Sequence, residues 1–189
     1  MQNPVYFDNA ATTWPKPQCV RATLQRAVRE YGGNPGRGGH PLAVRAGKVL
    51  FHARETAAAF FSAEPEHVVF TQNCTHALNL AIRGVLQRGD HVILSSLEHN
   101  AAARPVAAMA AEGLISYNIA RVSADDAETA DAFRRMIRPQ TRAIICTLVS
   151  NVTGQILPIR ADPDLNGREE QKNDGPRTLR YVSGKPSVS

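Results

Sequence analysis

Apolar positions within the first 160 residues follow two different spacings. Apolar residues three or four positions apart, such as Val20, Leu24 and Val28, are typical of one face of a helix. A continuous apolar run such as 142–149 is typical of a strand buried on both faces. These patterns predict helices at about residues 18–31, 42–62, 75–87, 100–112 and 126–138. They predict strands at residues 67–71, 91–95, 114–119 and 142–149.

Strands and helices alternate from residue 67 to residue 149 of this pattern. A helix between two strands of one sheet is a crossover connection, so the alternation predicts an α/β fold with a mostly parallel sheet flanked by helices. Ligands of such sheets bind beyond the carboxyl ends of the strands. We therefore expect a functional site in the strand-to-helix loops 72–75, 96–100 and 150–155.

The last 29 residues differ from the rest in composition. Residues 161–189 contain five Lys or Arg, five Asp or Glu and only six apolar residues, and these show neither helical nor strand spacing. So few apolar groups do not offset the entropy lost on ordering a chain. The sequence therefore predicts one domain over residues 1–160 and a disordered tail over residues 161–189.

The overall composition excludes several classes of protein. The net charge is +5, but the basic residues are dispersed along predicted helices and only 6% of the chain is aromatic, so no nucleic-acid surface is expected. No apolar run reaches the ~18–20 residues of a membrane span, and no signal peptide is recognisable. The cysteines Cys19, Cys74 and Cys146 are far apart, which predicts reduced thiols in a cytoplasmic protein and no metal site.

The loop 72–75 immediately precedes a predicted helix. The first N–H groups of a helix are unpaired and its dipole is positive there, so an anion such as a phosphate binds favourably. Asn73 or Thr75 could instead be an ordinary N-cap. The chain contains neither GxxxxGK[ST] nor GxGxxG, which argues against a nucleotide-binding loop.

The other two loops each contain one side chain suited to a flat, polar ligand. His99 could stack on a ring or carry a proton, or it could be a surface histidine in a turn. Asn151 offers a donor and an acceptor to a ring substituent, or it could be an ordinary turn residue before Gly154. Each loop alone is a weak signal, whereas three loops at one edge of a sheet predict a ligand site.

The motifs, taken in order, resemble the cysteine desulfurase and selenocysteine lyase-like branch of the class V aminotransferase family. The matching segments are YFDNAATT from residue 6, GGNP from residue 32 with His40 after it, VVFTQNCT from residue 68, EHN from residue 98 and SNVTG from residue 150. The resemblance extends over residues 4–160. It implies part of the large domain of a fold type I transferase that depends on pyridoxal 5′-phosphate (PLP).

The resemblance also implies roles for individual residues. Cys74 and Thr75 are expected to hold the cofactor phosphate. His99 is expected to stack on the pyridine ring and to move protons as a catalytic residue, and Asn151 to contact the phenolic oxygen of the ring.

Ala11 and Asn34 are expected near the amino-acid substrate. The family reaction removes sulfur from L-cysteine, gives alanine and leaves a persulfide on the enzyme; selenocysteine or another amino acid stays open as the substrate. A homodimer or a partner chain is expected as well.

The resemblance stops before three groups that the family uses. These are the lysine that bonds covalently to PLP, the aspartate beside the pyridinium nitrogen and the cysteine that carries the persulfide. Lys16, Lys48, Lys172 and Lys185 do not match the family lysine, so we expect no covalent attachment of PLP at a family-like position. The chain is expected to be truncated and inactive alone. The change in composition at residue 161 fits a reading frame that is either frameshifted, with the tail out of frame, or prematurely ended. Two alternatives are half of a split enzyme and a non-catalytic module that dimerises with an intact homologue.

Overall fold

A computed structural model describes residues 5–9, 11–158 and 179–181, the last three through their backbone only. The helices are α1 (Gln18–Glu30), α2 (Pro41–Phe61), α3 (Cys74–Val85), α4 (Asn100–Ala111) and α5 (Asp126–Arg134). The strands are β1 (His91–Ser95), β2 (Ser116–Ala120), β3 (Thr141–Thr147) and β4 (Leu179–Tyr181). The chain divides after Phe70 into two compact units, each of which is described by itself.

The first unit contains α1 and α2. The side chain of His40 accepts a hydrogen bond from the backbone N–H of Ala43 at 3.3 Å, so His40 is the N-cap of α2. Pro41 occupies the first position of the helix, where a proline is favourable because its missing N–H would have no partner there. The preceding loop packs tightly, because a Cβ added to Gly33 would lie 2.6 Å from the carbonyl carbon of Leu42. The side chains of α2 that are buried are small, all three of them alanine: Ala43, Ala46 and Ala58.

The second unit is built on a parallel sheet with the strand order β2-β1-β3-β4. Successive residues of the central strand β1 point to opposite faces, and each face has its own apolar core. Val92 and Leu94 pack with residues of α3 and α4, such as Ile82 and Val106. Ile93 packs on the other face, in the cluster that includes Phe133 of α5. Helices therefore cover both faces of the sheet.

A buried polar network joins the strands near the amino end of the sheet. Nδ1 of His91 lies 2.8 Å from Oγ1 of Thr141, and Nε2 of His91 lies 3.0 Å from Oδ1 of Asn118. The guanidinium of Arg138 also donates to that Oδ1 at 2.7 Å, and its backbone N–H donates to Oγ1 of Thr141 at 2.8 Å. Because Oδ1 of Asn118 is an acceptor and the Thr141 hydroxyl can donate its hydrogen to Nδ1, the ring hydrogen of His91 lies on Nε2, and both ring nitrogens are satisfied within the protein.

The predicted α/β fold with a mostly parallel sheet is confirmed, but the predicted strand 67–71 is wrong. A single 3-10 turn forms at Pro65–His67, and residues 68–71 join no strand of the described part of the chain. Val69 and Phe70 are 72% and 51% exposed. An apolar run becomes a strand only when a neighbouring strand accepts its backbone hydrogen bonds.

Three residues of the tail form the strand β4 in the structure. The backbone of Leu179–Tyr181 pairs in parallel with β3, with Ile145 opposite Leu179. An unpaired edge of β3 offers backbone donors and acceptors to any extended segment, whatever its side-chain pattern. The rest of the tail prediction, from 161 to 178 and from 182 onward, lies outside the described residues. The domain boundary near residue 160 stays a prediction.

Candidate functional site

A cleft of about 420 Å³ lies against α3 and α4 in the second unit. Thr75 and Arg83 line it from α3, while His99 and Arg104 line it from the start and the first half of α4. None of the described residues that line the cleft is acidic. The cleft therefore combines a hydroxyl, an imidazole and two guanidinium groups, a set that favours an anionic ligand.

The hydrogen bonds of the loop 72–75 separate the two roles that the sequence left open. The side-chain oxygen of Asn73 accepts from the backbone N–H of His76 at 2.8 Å, so Asn73 is the N-cap of α3. The backbone oxygen of Thr75 accepts from the amide of Asn79 at 2.9 Å. The Thr75 hydroxyl has no hydrogen-bond partner among the described residues and is exposed on the cleft. Thr75 is thus available to a ligand.

His99 is the N-cap of α4. Its Nδ1 accepts a hydrogen bond from the backbone N–H of Ala101 at 3.0 Å, which places the hydrogen of the neutral ring on Nε2. The side chain is exposed and lines the cleft. The cap holds the ring at the start of α4, and its Nε2 remains a donor.

Asn151 lies in a tight turn that follows β3. The Ser150 hydroxyl accepts from the backbone N–H groups of Val152 and Thr153 at 3.3 and 3.2 Å, and the Gly154 N–H donates to the Ser150 carbonyl at 2.9 Å. Gly154 has a φ of 72°, which glycine adopts without strain. Asn151 is exposed in this turn and does not line the cleft.

The structure therefore brings together two of the predicted site residues, Thr75 and His99. Cys74 is the exposed first residue of α3 and does not line the cleft. Ala11 and Asn34 belong to the first unit, where the side-chain oxygen of Asn34 accepts from the N–H of Gly36 at 2.9 Å. The roles of all six residues, Thr75 and His99 included, stay predictions.

Sequence reasoning missed the part played by Glu98. Its Oε1 accepts from the Ser95 hydroxyl at 2.7 Å and from the backbone N–H of Thr147 at 2.5 Å. Its Oε2 is buried and has no hydrogen-bond partner among the described residues. Burial raises the pKa of the Glu98 carboxyl above its ordinary value of 4.5, although the two hydrogen bonds and His99 act in the opposite direction.

The thiol of Cys146 is buried next to this carboxyl group. Desolvation, together with the charge of Glu98, raises the pKa of the Cys146 thiol far above its ordinary value. A thiol that does not ionise is neither a nucleophile nor a metal ligand. No group of three His, Cys, Asp or Glu side chains suited to a metal ion occurs within the described residues.

The family becomes clear from comparison with known sequences. The sequence model of the family Aminotransferase class-V matches residues 5–161. The chain belongs to this family, and its curated relatives include cysteine desulfurases. The probable cysteine desulfurase of Methanothermobacter thermautotrophicus is 31% identical over 163 residues, which is 85% of this chain and 40% of the relative. That of Vibrio cholerae is 34% identical over 163 residues, 83% of this chain and 40% of the relative. The chain thus spans about 40% of the length of these relatives.

Solved structures agree with this assignment. SspA in complex with cysteine superposes with a TM-score of 0.73 at 28% identity, over 85% of this chain and 46% of that protein. The chain is therefore part of the large domain of a cysteine desulfurase-like protein, a family for which PLP is the expected cofactor. No helix in the described part of the chain is both long enough and apolar enough to cross a membrane.

Proposed function

We propose that this chain supplies the phosphate-binding and ring-stacking groups of a PLP site in a cysteine desulfurase-like protein. The whole protein's proposed reaction is the removal of sulfur from L-cysteine, giving alanine and an enzyme persulfide. The observation that carries the proposal is the shared cleft of Thr75 and His99, which contains arginines and no acidic residue among its described lining.

The phosphate is assigned to the start of α3. Asn73 caps the helix through His76, and the Thr75 hydroxyl keeps its hydrogen for a ligand. A helix N-terminus with a hydroxyl donor suits a phosphate dianion. Arg83 and Arg104 add positive charge along the same cleft. Cys74, next to Thr75, is proposed as the second phosphate contact.

The pyridine ring is assigned to His99. The hydrogen bond from the Ala101 N–H to Nδ1 fixes the ring edge and leaves its face and its Nε2 hydrogen for the cofactor. When bound, PLP withdraws electrons from the α-carbon of an amino acid. His99 is proposed to hold a proton at Nε2 close to that carbon, Asn151 to contact the ring hydroxyl, and Ala11 and Asn34 to contact the substrate.

We also propose that these 189 residues alone do not turn over cysteine. None of the four lysines lies in a segment that resembles the family's cofactor-binding lysine, and without a covalent bond to an amine the cofactor loses its activated form. Activity would then require a complementary chain, or the chain would act as a module that pairs with an intact homologue or with itself. A cytoplasmic location is proposed because the sequence has three cysteines far apart from one another, the usage expected of reduced thiols.

The proposal is tested by titrating the purified chain with PLP and recording the absorbance of the bound cofactor. We expect Thr75→Ala and His99→Ala each to weaken binding by about tenfold, since each removes one polar or stacking contact worth about 1.4 kcal/mol. Thr23→Ala and His67→Ala remove exposed side chains of the first unit and serve as matched controls. Equal binding by all four variants would contradict the site.

Inactivity of the chain alone is tested separately. The chain is incubated with PLP and cysteine, alanine is measured, and the mixture is reduced with borohydride before the intact mass is determined. We expect no alanine and no stoichiometric adduct. Alanine release together with an adduct on Lys172 or Lys185 would overturn the claim, and activity only after adding a complementary chain would favour the split enzyme.

A further inference from the structure

We propose that Glu98 is a positioning residue that fixes His99 by tying its loop to the end of β3. The inference rests on the proposed role of His99 in the PLP site. Glu98 contributes no side chain to the described lining of the cleft, so it would act through its neighbours and not on the cofactor itself.

One carboxylate oxygen of Glu98 joins two strands. Oε1 accepts from the hydroxyl of Ser95, the last residue of β1, and from the backbone N–H of Thr147, the last residue of β3. Thr147 is 49 positions further along the chain than Glu98. The side chain therefore closes a long-range contact at the edge of the sheet where the loops lie, beyond Leu94 and Ile145, the last residues that β1 and β3 pair with each other.

The same contact limits the freedom of His99. Glu98, the residue before His99, is held by its hydrogen bonds to Ser95 and Thr147. After His99, the Ala101 N–H holds the ring through its hydrogen bond to Nδ1. The start of the loop is also anchored, because the Ser96 N–H donates to the carbonyl of Ala120 at 2.9 Å. With three anchors around a four-residue loop, the ring of His99 keeps one orientation.

Glu98 also reaches the loop that carries Asn151. The hydroxyl of Thr147 donates to the carbonyl of Val149 at 2.9 Å, and Val149 forms an isolated antiparallel bridge with Ile156 across the turn. A shift of the Thr147 backbone would therefore move the base of the turn that contains Asn151. A single oxygen atom thus couples two of the three loops expected to meet the cofactor.

Because Ser95 and Thr147 are buried, we expect the loss of the Glu98 acceptor to be costly. An apolar side chain would leave a hydroxyl and a backbone N–H without an acceptor in a region that water reaches poorly, and each unpaired donor is costly. Glutamine keeps an oxygen acceptor for both donors, but it replaces the buried, unpartnered Oε2 by an amide. The loss in Glu98→Ala and the rescue in Glu98→Gln therefore show that the side-chain oxygen, and not the negative charge, is what the two donors require.

The test compares Glu98→Ala with Glu98→Gln, using Glu112→Ala as a matched control. Glu112 is an exposed glutamate at the opposite end of α4. The readouts are the ring ¹⁵N shifts of His99 and the backbone amide shift of Asn151, recorded on the whole chain without cofactor, and the affinity for PLP. A purely structural role would lower stability without shifting the His99 ring signals in the molecules that remain folded.

We expect Glu98→Ala to move the His99 ring signals and the Asn151 amide together and to weaken PLP binding by about tenfold, the effect of one hydrogen bond to a charged group. Glu98→Gln should keep the His99 and Asn151 signals and the PLP affinity close to those of the unmodified chain. Should Glu98→Ala not fold, Ser95→Ala removes one of the two donors and should give a smaller shift of the same His99 signals. Unchanged His99 signals in every folded variant would overturn the inference.

The two proposals fail in different ways. If the unmodified chain does not bind PLP, the proposed function fails, while the shifts of His99 and Asn151 still decide the role of Glu98. If PLP binds and only Thr75→Ala and His99→Ala weaken it, the proposed function holds and the inference on Glu98 is wrong.

Discussion

The polar side chains at the two ends of the parallel sheet differ in burial and in whether they have hydrogen-bond partners. Near the amino end, His91 is 1% exposed and both of its ring nitrogens have partners within the protein. At the carboxyl end, Oε2 of Glu98 is buried without a described partner, and Thr75 and His99 are exposed on a cleft. A polar network that only supports the fold satisfies itself, whereas one that meets a ligand keeps unused donors and acceptors. The proposed site therefore lies at the end of the sheet where polar side chains remain exposed on a cleft.

The largest expected effect is on stability, at the amino end of the sheet, where His91 has partners for both ring nitrogens. His91→Ala removes the partner of Thr141 and of Asn118 and leaves a cavity between strands, so we expect a loss of roughly 3 kcal/mol in the free energy of unfolding. Urea unfolding measures it. His67→Ala, at an exposed histidine, should change the same quantity by less than about 0.5 kcal/mol. A small effect of His91→Ala would show that the network is not structural.

The next effect separates capping from ligand binding at His99. His99→Asn keeps a side-chain oxygen that can accept from the Ala101 N–H, so the stability of α4 should be nearly unchanged. His99→Ala loses the cap and should destabilise the protein by about 1 kcal/mol. Both variants lose the flat ring and should bind PLP more weakly by a similar factor. Normal PLP affinity in His99→Asn would remove the ring-stacking role.

A smaller effect follows from the raised pKa of Glu98. Between pH 4.5 and that raised pKa, the unfolded chain has released the proton while the folded chain still holds it, so stability falls as the pH rises through this window. His99 and the Cys146 thiol are the titratable neighbours that act on Glu98 or feel its charge. Glu98→Gln should lack this part of the pH dependence. Urea unfolding of both proteins at several pH values measures the difference, and parallel curves would contradict it.

The smallest effect concerns the thiols. Cys19 and Cys74 are exposed, whereas Cys146 is buried with a raised pKa. A thiol reagent should therefore modify two cysteines of the folded chain quickly and the third only after unfolding. PLP or inorganic phosphate should slow the reaction of Cys74 and leave Cys19 unchanged if the start of α3 holds the anion. Equal protection of both, measured by peptide mass, would contradict that placement.

Local patterns predicted the elements best where neighbouring signals agreed. The strand His91–Ser95 was predicted with its observed bounds, because its apolar run begins after Gly89-Asp90 and ends in a polar loop. The same reasoning was wrong for 67–71, where an apolar run without a neighbouring strand stayed irregular. It did not predict the strand Leu179–Tyr181, whose backbone pairing depends on the free edge of β3 and not on a local apolar pattern.

The residues of the candidate site likewise separate into those that local motifs predicted and those that only contacts between distant positions revealed. Motifs within one loop were enough to single out Thr75 and His99, since each lies at the start of a predicted helix. Nothing local distinguished Asn73 from Thr75 as the cap of α3, and the hydrogen bond to His76 decided it. Glu98 attracted no attention by itself, because its partner Thr147 is 49 positions away.

The sequence by itself determined the alternation of helices and strands, the parallel sheet, the family and the loops where chemistry is expected, because these depend on spacing and on short motifs. Only the tertiary structure decided which polar groups satisfy one another and which remain available. That outcome depends on contacts between distant positions, such as those of His91 and Glu98, and on how much water each group loses on folding. Burial and hydrogen-bond geometry are properties of the packed chain, so no local pattern contains them.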